Sequence, residues 1–337
     1  SIKESFMKKI VSIVLVTAML AACVTGCKTN TRKQLQPVVL NEVAHSIFYA
    51  PQYAAIELGY FKDEGIDLTL VNGAGADKVM TALISGDADI GFMGSEASIY
   101  VYQEGSDDYA VNFAQLTQRA GNFLVGRTAQ ENFSWQDLKG KKVLGGRAGG
   151  MPEMIFEYIL KKNGIDPKID LTIDQSINFG LTAAAFTSND ADYTVEFEPF
   201  ATGLEKEGSG TVVASLGVDS GYVPYTAYSA KKSYLEKNPE IIQKFTNAIQ
   251  RGLEYVNTHS AEEIAETIKP QFKETDTATI ATIIERYKEQ DTWKNDTVFE
   301  KESFELLENI LEEAGELKER VPYEDLVTTA FSEEAAK

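Results

Sequence analysis

The sequence predicts an α/β protein of two lobes, each a mainly parallel sheet flanked by helices, with C-terminal helices packed on the first lobe. Three observations carry that class. From Pro37 the chain alternates strand, glycine-bearing loop and helix; from Lys142 the same alternation starts again; after Tyr222 it gives way to amphipathic helices that need an existing body to pack on.

In the first run, residues 37–43 read as a strand. Pro51 stands where a helix accepts its first residue, and Gly59 closes that helix. Ile66, Leu68 and Leu70 alternate with Asp67 and Thr69, the two-residue period of a strand. Ala76, Val79, Met80 and Leu83 keep helical spacing up to Gly86. Strands at 88–93 and 109–116 complete a βαβα unit. The second run opens with a strand at 142–145. Gly149 and Gly150 make its loop, Pro152 opens a helix and Gly164 ends it. Strands at 171–173, 192–195 and 211–216 alternate with helices near 180–186 and 199–207. In the third part, Asn238-Pro239-Glu240 begins a helix with one apolar stripe: Ile241, Ile242, Phe245, Ile249, Leu253 and Val256. Ser260 with Glu263 reads as a capping box. Further helices are expected at 276–288 and 300–317, with the chain crossing back to the first lobe near 223–228.

The start of the chain carries a different signal. Met7, Lys8 and Lys9 lead into an apolar run over 10–20 that closes on Leu20-Ala21-Ala22-Cys23 and Val24-Thr25-Gly26-Cys27. This is an export signal, and its form resembles a bacterial lipoprotein lipobox. The run is shorter than the roughly 18–20 residues a membrane-crossing helix needs, so it reads as a removed leader. Either cysteine fits the lipid-bearing position, each with a small residue before it and an aliphatic residue three positions back. Cys27 is favoured over Cys23 because the chain turns polar directly after it, and 28–36 read as a tether. Residues 1–6 precede the expected initiator and are set aside as a cloning scar or misplaced start. The protein is then expected on the outer face of a bacterial cell membrane, held by its N-terminal lipid.

Both cysteines of the chain fall in that signal, leaving a body without a thiol. That excludes a disulfide framework, a zinc-cysteine site and a cysteine nucleophile. With 32 Lys+Arg against 51 Asp+Glu, the formal charge is −19 and nucleic acid is not an expected partner, because binding it requires a basic surface to neutralise phosphates. The length suits two domains at roughly 100–200 residues each.

His45-Ser46-Ile47-Phe48-Tyr49-Ala50 is followed by Glu57-Leu58-Gly59-Tyr60-Phe61-Lys62-Asp63-Glu64-Gly65-Ile66. Later come Gly86-Asp87-Ala88-Asp89-Ile90-Gly91 and Asp137-Leu138-Lys139-Gly140-Lys141-Lys142-Val143. In this order, over roughly 37–272, they resemble the substrate-binding proteins of nitrate, sulfonate, taurine and thiamine-pyrimidine ABC importers. The resemblance implies the type II periplasmic-binding fold, with ligand caught between lobes that close about a hinge. It divides the chain into lobe 1 (37–126 plus 225–337) and lobe 2 (127–224), with crossings near 124–128 and 217–225. It further implies a small-molecule ligand, an ABC permease with a separate ATPase as partner, a monomer, and no catalysis, cofactor or metal.

Ligands of open α/β sheets bind beyond the carboxyl ends of the strands. That rule selects His45, Phe48, Tyr49, Gly75, Gly94, Ser95 and Glu96 in the first lobe. In the second it selects Arg147, Gly149, Gly150, Met151, Glu153, Glu196 and Glu198. Asn122, Gln118, Tyr222 and Tyr225 lie at the expected crossings. His45 can donate to and accept from an uncharged heterocycle, with a capping role as the alternative. Phe48 and Tyr49 suit either stacking on a flat ligand or the lobe core. The glycine-rich loop 145–153 can hold an anion at its helix start, although Pro152 lacks an amide and Glu153 already places a carboxylate there. Glu196 and Glu198 can accept from the exocyclic amine of an aminopyrimidine, and Arg147 can pair with a sulfonate, nitrate or carboxylate. The set favours a thiamine pyrimidine precursor or similar nitrogen heterocycle, with a sulfonate, taurine or nitrate as the alternative. A sensor subunit is a second class. A pyrimidine-synthesising enzyme is disfavoured, since the resemblance there requires a cysteine-rich motif.

Overall fold

The run of strands from Gln36 to Lys231 resolves into two sheets of five, built to the same plan. A computed structural model of the chain describes residues 34–337; Cys23, Cys27 and most of the expected tether lie outside the described residues. Gln36–Lys337 form one unit by their contacts.

The first sheet uses β1 (Gln36–Glu42), β2 (Ile66–Asn72), β3 (Ile90–Gly94) and β4 (Ala110–Thr117). Strand β1 lies parallel to β2, with Gln36 opposite Ile66 and Glu42 opposite Asn72, and parallel to β3, with Leu40 opposite Ile90. The helices between them are α1 (Ala50–Glu57), α2 (Tyr60–Asp63), α3 (Ala76–Ser85) and α4 (Glu96–Gln103). The second sheet uses β5 (Phe123–Gly126), β6 (Lys142–Leu144), β7 (Thr172–Asp174), β8 (Tyr193–Glu196) and β9 (Thr211–Ser215). Between them run α5 (Met151–Lys162), α6 (Thr182–Ser188) and α7 (Phe200–Lys206). A one-turn α8 (Leu216–Ser220) then leads to β10 (Thr226–Lys231), which returns to the first sheet.

The orders are β2-β1-β3-β10-β4 and β7-β6-β8-β5-β9. In each sheet the strand entered directly after a crossing, β10 or β5, runs antiparallel to both neighbours. This corrects two expectations. Phe123–Gly126, expected at the end of the first lobe and in the crossing, is an inner strand of the second sheet. The return expected over 223–228 is already strand β10 from Thr226. Both strands are buried nearly throughout, so neither shows the alternation that marks a half-exposed strand.

The crossings are therefore 118–122 and 216–225, and they are laced together. Val223 N donates to Gln118 O at 2.9 Å and Leu216 N to Asn122 O at 3.0 Å. Gln290 spans both, its Nε2 donating to Ala120 O at 3.0 Å and its Oε1 accepting from Ser215 Oγ at 2.7 Å. Gly217 permits this approach: a Cβ there would lie 2.3 Å from Gln290 Nε2 and 2.4 Å from Ala120 O.

Chain 232–337 is helical, with α9 (Lys232–Lys237), α10 (Pro239–Thr258), α11 (Ala261–Ile268), α12 (Thr277–Glu289), α13 (Lys301–Glu313), α14 (Tyr323–Leu326) and α15 (Ala330–Ala335). The α10 stripe of Ile242, Phe245, Ile249, Leu253 and Val256 is fully buried and packs on α1; Ile241, at its edge, is only partly covered. Ser260 Oγ accepts from Glu263 N at 3.1 Å, the forward half of the expected capping box. Helix α13 ends at Glu313, one turn before the expected limit. Helices α12 and α13 also touch the second lobe: Arg286 pairs with Glu198 at 3.3 Å and Glu205 at 3.5 Å, and α13 packs on α5. Among the described residues no helix is long and apolar enough to cross a membrane.

Candidate functional site

The carboxyl ends of both sheets face one cleft. From the first lobe Val43, Tyr49, Gly75, Ala76, Gly94 and Glu96 line it; from the second, Gly146, Arg147, Gly150, Met151, Pro152, Phe179 and Phe197. Tyr225 and Thr226, where the return crossing becomes β10, complete the lining. Most of its wall is apolar or aromatic, and its few polar groups converge.

Glu96 is the centre of that polar set. It is the first residue of α4, directly after β3 and its cap Ser95, and it is 1% exposed. Gly94 makes room for the side chain: a Cβ on Gly94 would lie 2.1 Å from Glu96 Oε2. Burial pushes the Glu96 carboxyl up to about 7, against the pull of its own backbone amide, Arg147 and the backbone amide of Met151. Among the described residues Oε2 nevertheless has no hydrogen-bond partner. A buried carboxylate oxygen left unpaired costs free energy that a ligand donor can recover.

The remaining polar groups are held by the fold. Tyr225 Oη donates to Asn122 Oδ1 at 2.6 Å, and Thr226 Oγ1 is in hydrogen-bond contact with Thr117 Oγ1. Burial raises the phenols of Tyr49 and Tyr225 well above their ordinary value, so both stay protonated. Beside the cleft the lobes touch: Tyr100 Oη donates to Gly149 O at 2.8 Å, and Ser46 Oγ to Glu198 O at 2.6 Å.

A family profile described as NMT1/THI5 like matches residues 47–263. The chain belongs to the NMT1/THI5-like family. It is 46% identical over 314 residues to “Putative binding protein YtlA” of Bacillus subtilis, covering 93% of this chain and 92% of that protein. It is 27% identical over 229 residues to 4-amino-5-hydroxymethyl-2-methylpyrimidine phosphate synthase THI11 of Saccharomyces cerevisiae, covering 62% of this chain and 63% of that one. Among solved structures, the alkanesulfonate-binding protein SsuA from Xanthomonas axonopodis pv. citri, bound to MOPS, superposes with a TM-score of 0.71 at 15% identity, over 87% of this chain and 98% of its own. That likeness is one of fold, the two-lobed periplasmic-binding fold.

Within this NMT1/THI5-like chain, eight residues selected from the sequence line the cleft: Tyr49, Gly75, Gly94, Glu96, Arg147, Gly150, Met151 and Tyr225. The others do not, and each has a partner that explains why. Phe48 is fully buried beneath the cleft among Tyr49, Phe197, Tyr225 and Tyr287. Ser95 Oγ donates to Pro224 O at 2.6 Å. Asn122 holds the Tyr225 phenol from behind, and Gly149 offers its carbonyl to Tyr100. Glu153 faces away, accepting from Gln175 Nε2 at 2.8 Å; burial and then Glu157 push it up to about 8. Glu196 accepts from Thr194 Oγ1 at 2.7 Å. Strand alternation sends it and Phe197 to opposite sides, and Phe197 is the one that reaches the cleft. Glu198 is consumed by Thr202 and Arg286. Tyr222 is 55% exposed, its phenol on Asp291 Oδ2 at 2.6 Å and its ring under Arg119. Gln118 likewise faces the Asp291 carbonyl.

His45 is the clearest correction. Its Nδ1 lies 2.6 Å from Glu42 Oε1 and its Nε2 2.8 Å from Gln271 O, a pair of acceptors that favours the imidazolium, which donates from both nitrogens. It stacks on Phe272, outside the cleft. Burial opposes the charge, but the hydrogen bond and charge of Glu42, with the Gln271 carbonyl, outweigh it and raise His45 above its usual 6.5. Its contribution to stability is complete below the unfolded value of about 6.5 and fades as pH rises through the raised folded value. His45→Gln should therefore lower the melting temperature more at about pH 5.5 than at about pH 8.5, with little change in ligand affinity. An equal loss at both pH values would show that the imidazolium is not the stabilising form.

Phe179 and Phe197 also wall the cleft, beyond the residues selected from the sequence. Phe197 was findable, since it directly follows a strand. Phe179 sits in the loop before α6, where nothing local distinguishes it.

Proposed function

We propose that this chain is the solute receptor of an ABC importer, exported and lipid-anchored through Cys27 or Cys23, and that it closes its two lobes on a nitrogen heterocycle of the thiamine-pyrimidine class. The lobes part at the crossings 118–122 and 216–225, and the ligand is handed unchanged to a permease. The observation that carries the ligand class is the unpartnered Oε2 of Glu96, buried inside an aromatic-walled cleft.

An aminopyrimidine presents an exocyclic N–H beside a ring nitrogen. A carboxyl whose proton affinity sits near neutrality can accept from the first and share its proton with the second. Tyr49, Phe179, Phe197 and Tyr225 offer faces and edges to the flat ring. The relationship to a binding protein along almost the whole chain supports a receptor, and the fungal synthases in the same family support a pyrimidine as the recognised shape.

A melting-temperature screen separates the candidates. 4-amino-5-hydroxymethyl-2-methylpyrimidine at about a hundredfold its Kd should stabilise the protein by about 2.7 kcal/mol, with methanesulfonate and nitrate giving no comparable rise. Stabilisation by either anion and none by the pyrimidine would replace this ligand class with the sulfonate and nitrate alternative.

A further inference from the structure

The helices that begin at the cleft from opposite lobes, α4 and α5, start against the same carboxylate. Glu96 is the first residue of α4 and Met151 the first of α5. Glu96, Met151 and Arg147 line the same cleft where the two helices begin, and the Arg147 guanidinium and the Met151 amide draw the Glu96 carboxyl down against its burial. Two helix starts with an arginine make an anion seat, and here a side chain of the protein already fills it. Gly94 is shaped to this filling, since any Cβ there would collide with Oε2. That oxygen is buried, lacks a partner and belongs to a residue that lines the cleft.

We propose that Glu96 is an internal anion that occupies the cleft's anion seat, excludes sulfonates, nitrate and other small oxyanions, and leaves one oxygen facing the ligand as an acceptor. Specificity then comes from repulsion as well as attraction, because an oxyanion entering the cleft meets a carboxylate where it would need a donor. This deepens the ligand class proposed above and rests on the same cleft being the binding site. It does not require the ligand to be a pyrimidine.

The test is to vacate the seat. Glu96→Ala removes the carboxylate and keeps the amides of 96 and 151 and the Arg147 guanidinium. At about pH 8, above the range in which folded Glu96 holds its proton, acetate and methanesulfonate, compared with chloride at equal ionic strength, should raise the melting temperature of Glu96→Ala and leave the wild type unchanged. In titration the variant should bind methanesulfonate at least about tenfold tighter, which corresponds to about 1.4 kcal/mol. Glu96→Gln keeps the seat filled and should gain nothing. Adding Arg147→Gln to the alanine variant should abolish the gain. If the alanine variant does not fold, Glu96→Ser carries the same comparison. A folded variant with no new response to acetate or methanesulfonate overturns the proposal. So does wild-type protein whose own melting temperature rises with methanesulfonate or acetate, a result that needs no variant. Failure of the wild type to bind a pyrimidine, with the anion gain intact, removes the ligand class and leaves the internal anion standing.

Discussion

Glu96→Leu should lose about a hundredfold in affinity for an aminopyrimidine and, at about pH 8, make the unliganded protein more stable. The loss follows from stranding the ligand's amine in a desolvated cleft, where an unmatched donor costs about 1–3 kcal/mol and a second hydrogen bond goes with it. The gain follows from the carboxyl's position. Folded Glu96 holds its proton up to about 7, against an ordinary 4.5, so between those values the folded chain carries a proton that the unfolded chain has released. Wild-type stability therefore falls as pH rises through that window, by about 3 kcal/mol in total, and does not fall further above it. Leucine has no such penalty, and exposed Arg147 keeps its water when the carboxylate leaves. The stability difference between variant and wild type should accordingly widen from about pH 4.5 to about pH 7 in urea titrations. Glu96→Gln, which keeps an acceptor and a donor in the same plane, should retain ligand within about tenfold. Parallel stability curves at all pH values, or a leucine variant that binds normally, would show that Glu96 neither titrates in the cleft nor touches the ligand.

Phe48→Ala carries the other large effect, on folding. The ring is fully buried, 4.9 Å from Tyr49, 5.4 Å from Tyr287 and 5.5 Å from both Phe197 and Tyr225 by ring centroids. Phe197 comes from the second lobe, so the ring joins the two halves beneath the cleft. Truncation should cost about 3–5 kcal/mol, and Phe48→Leu under about 1.5 kcal/mol, seen as a fall in the urea midpoint at constant slope. Ligand binding should weaken with it, because the cleft walls Tyr49, Phe197 and Tyr225 rest on this ring, and recover in the leucine variant. A large loss of affinity at unchanged stability would return Phe48 to the stacking role its sequence position also suggested.

The legibility of this fold from sequence depends on how each element is exposed. The α10 stripe and the alternating β2 announce themselves because one face meets solvent. Strands β5 and β10 are hidden because both faces are covered and their neighbours lie far away in the chain: Phe123 pairs with Glu196, and Thr226 with Gly94. The strand-end rule found Glu96 and Arg147 and also selected Glu196 and Glu198, because it locates a loop and not the direction of a side chain. Pleating turned Glu196 toward Thr194, and Arg286, a distant helical residue, took Glu198. His45 was misread for a related reason. Its Gln271 partner is 226 residues away, so an acceptor on both sides of the ring was invisible until the chain folded.

The other predictions rest on the proposed capture of a flat nitrogen heterocycle, with its release unchanged, by two lobes that close around Glu96. Isothermal titration of the folded protein with 4-amino-5-hydroxymethyl-2-methylpyrimidine, followed by denaturation and mass measurement of the recovered ligand, tests it most directly. One saturable site, lost in Glu96→Leu, and a recovered mass identical to that added are expected. Absence of binding at millimolar pyrimidine, or recovery of a chemically altered molecule, would contradict it.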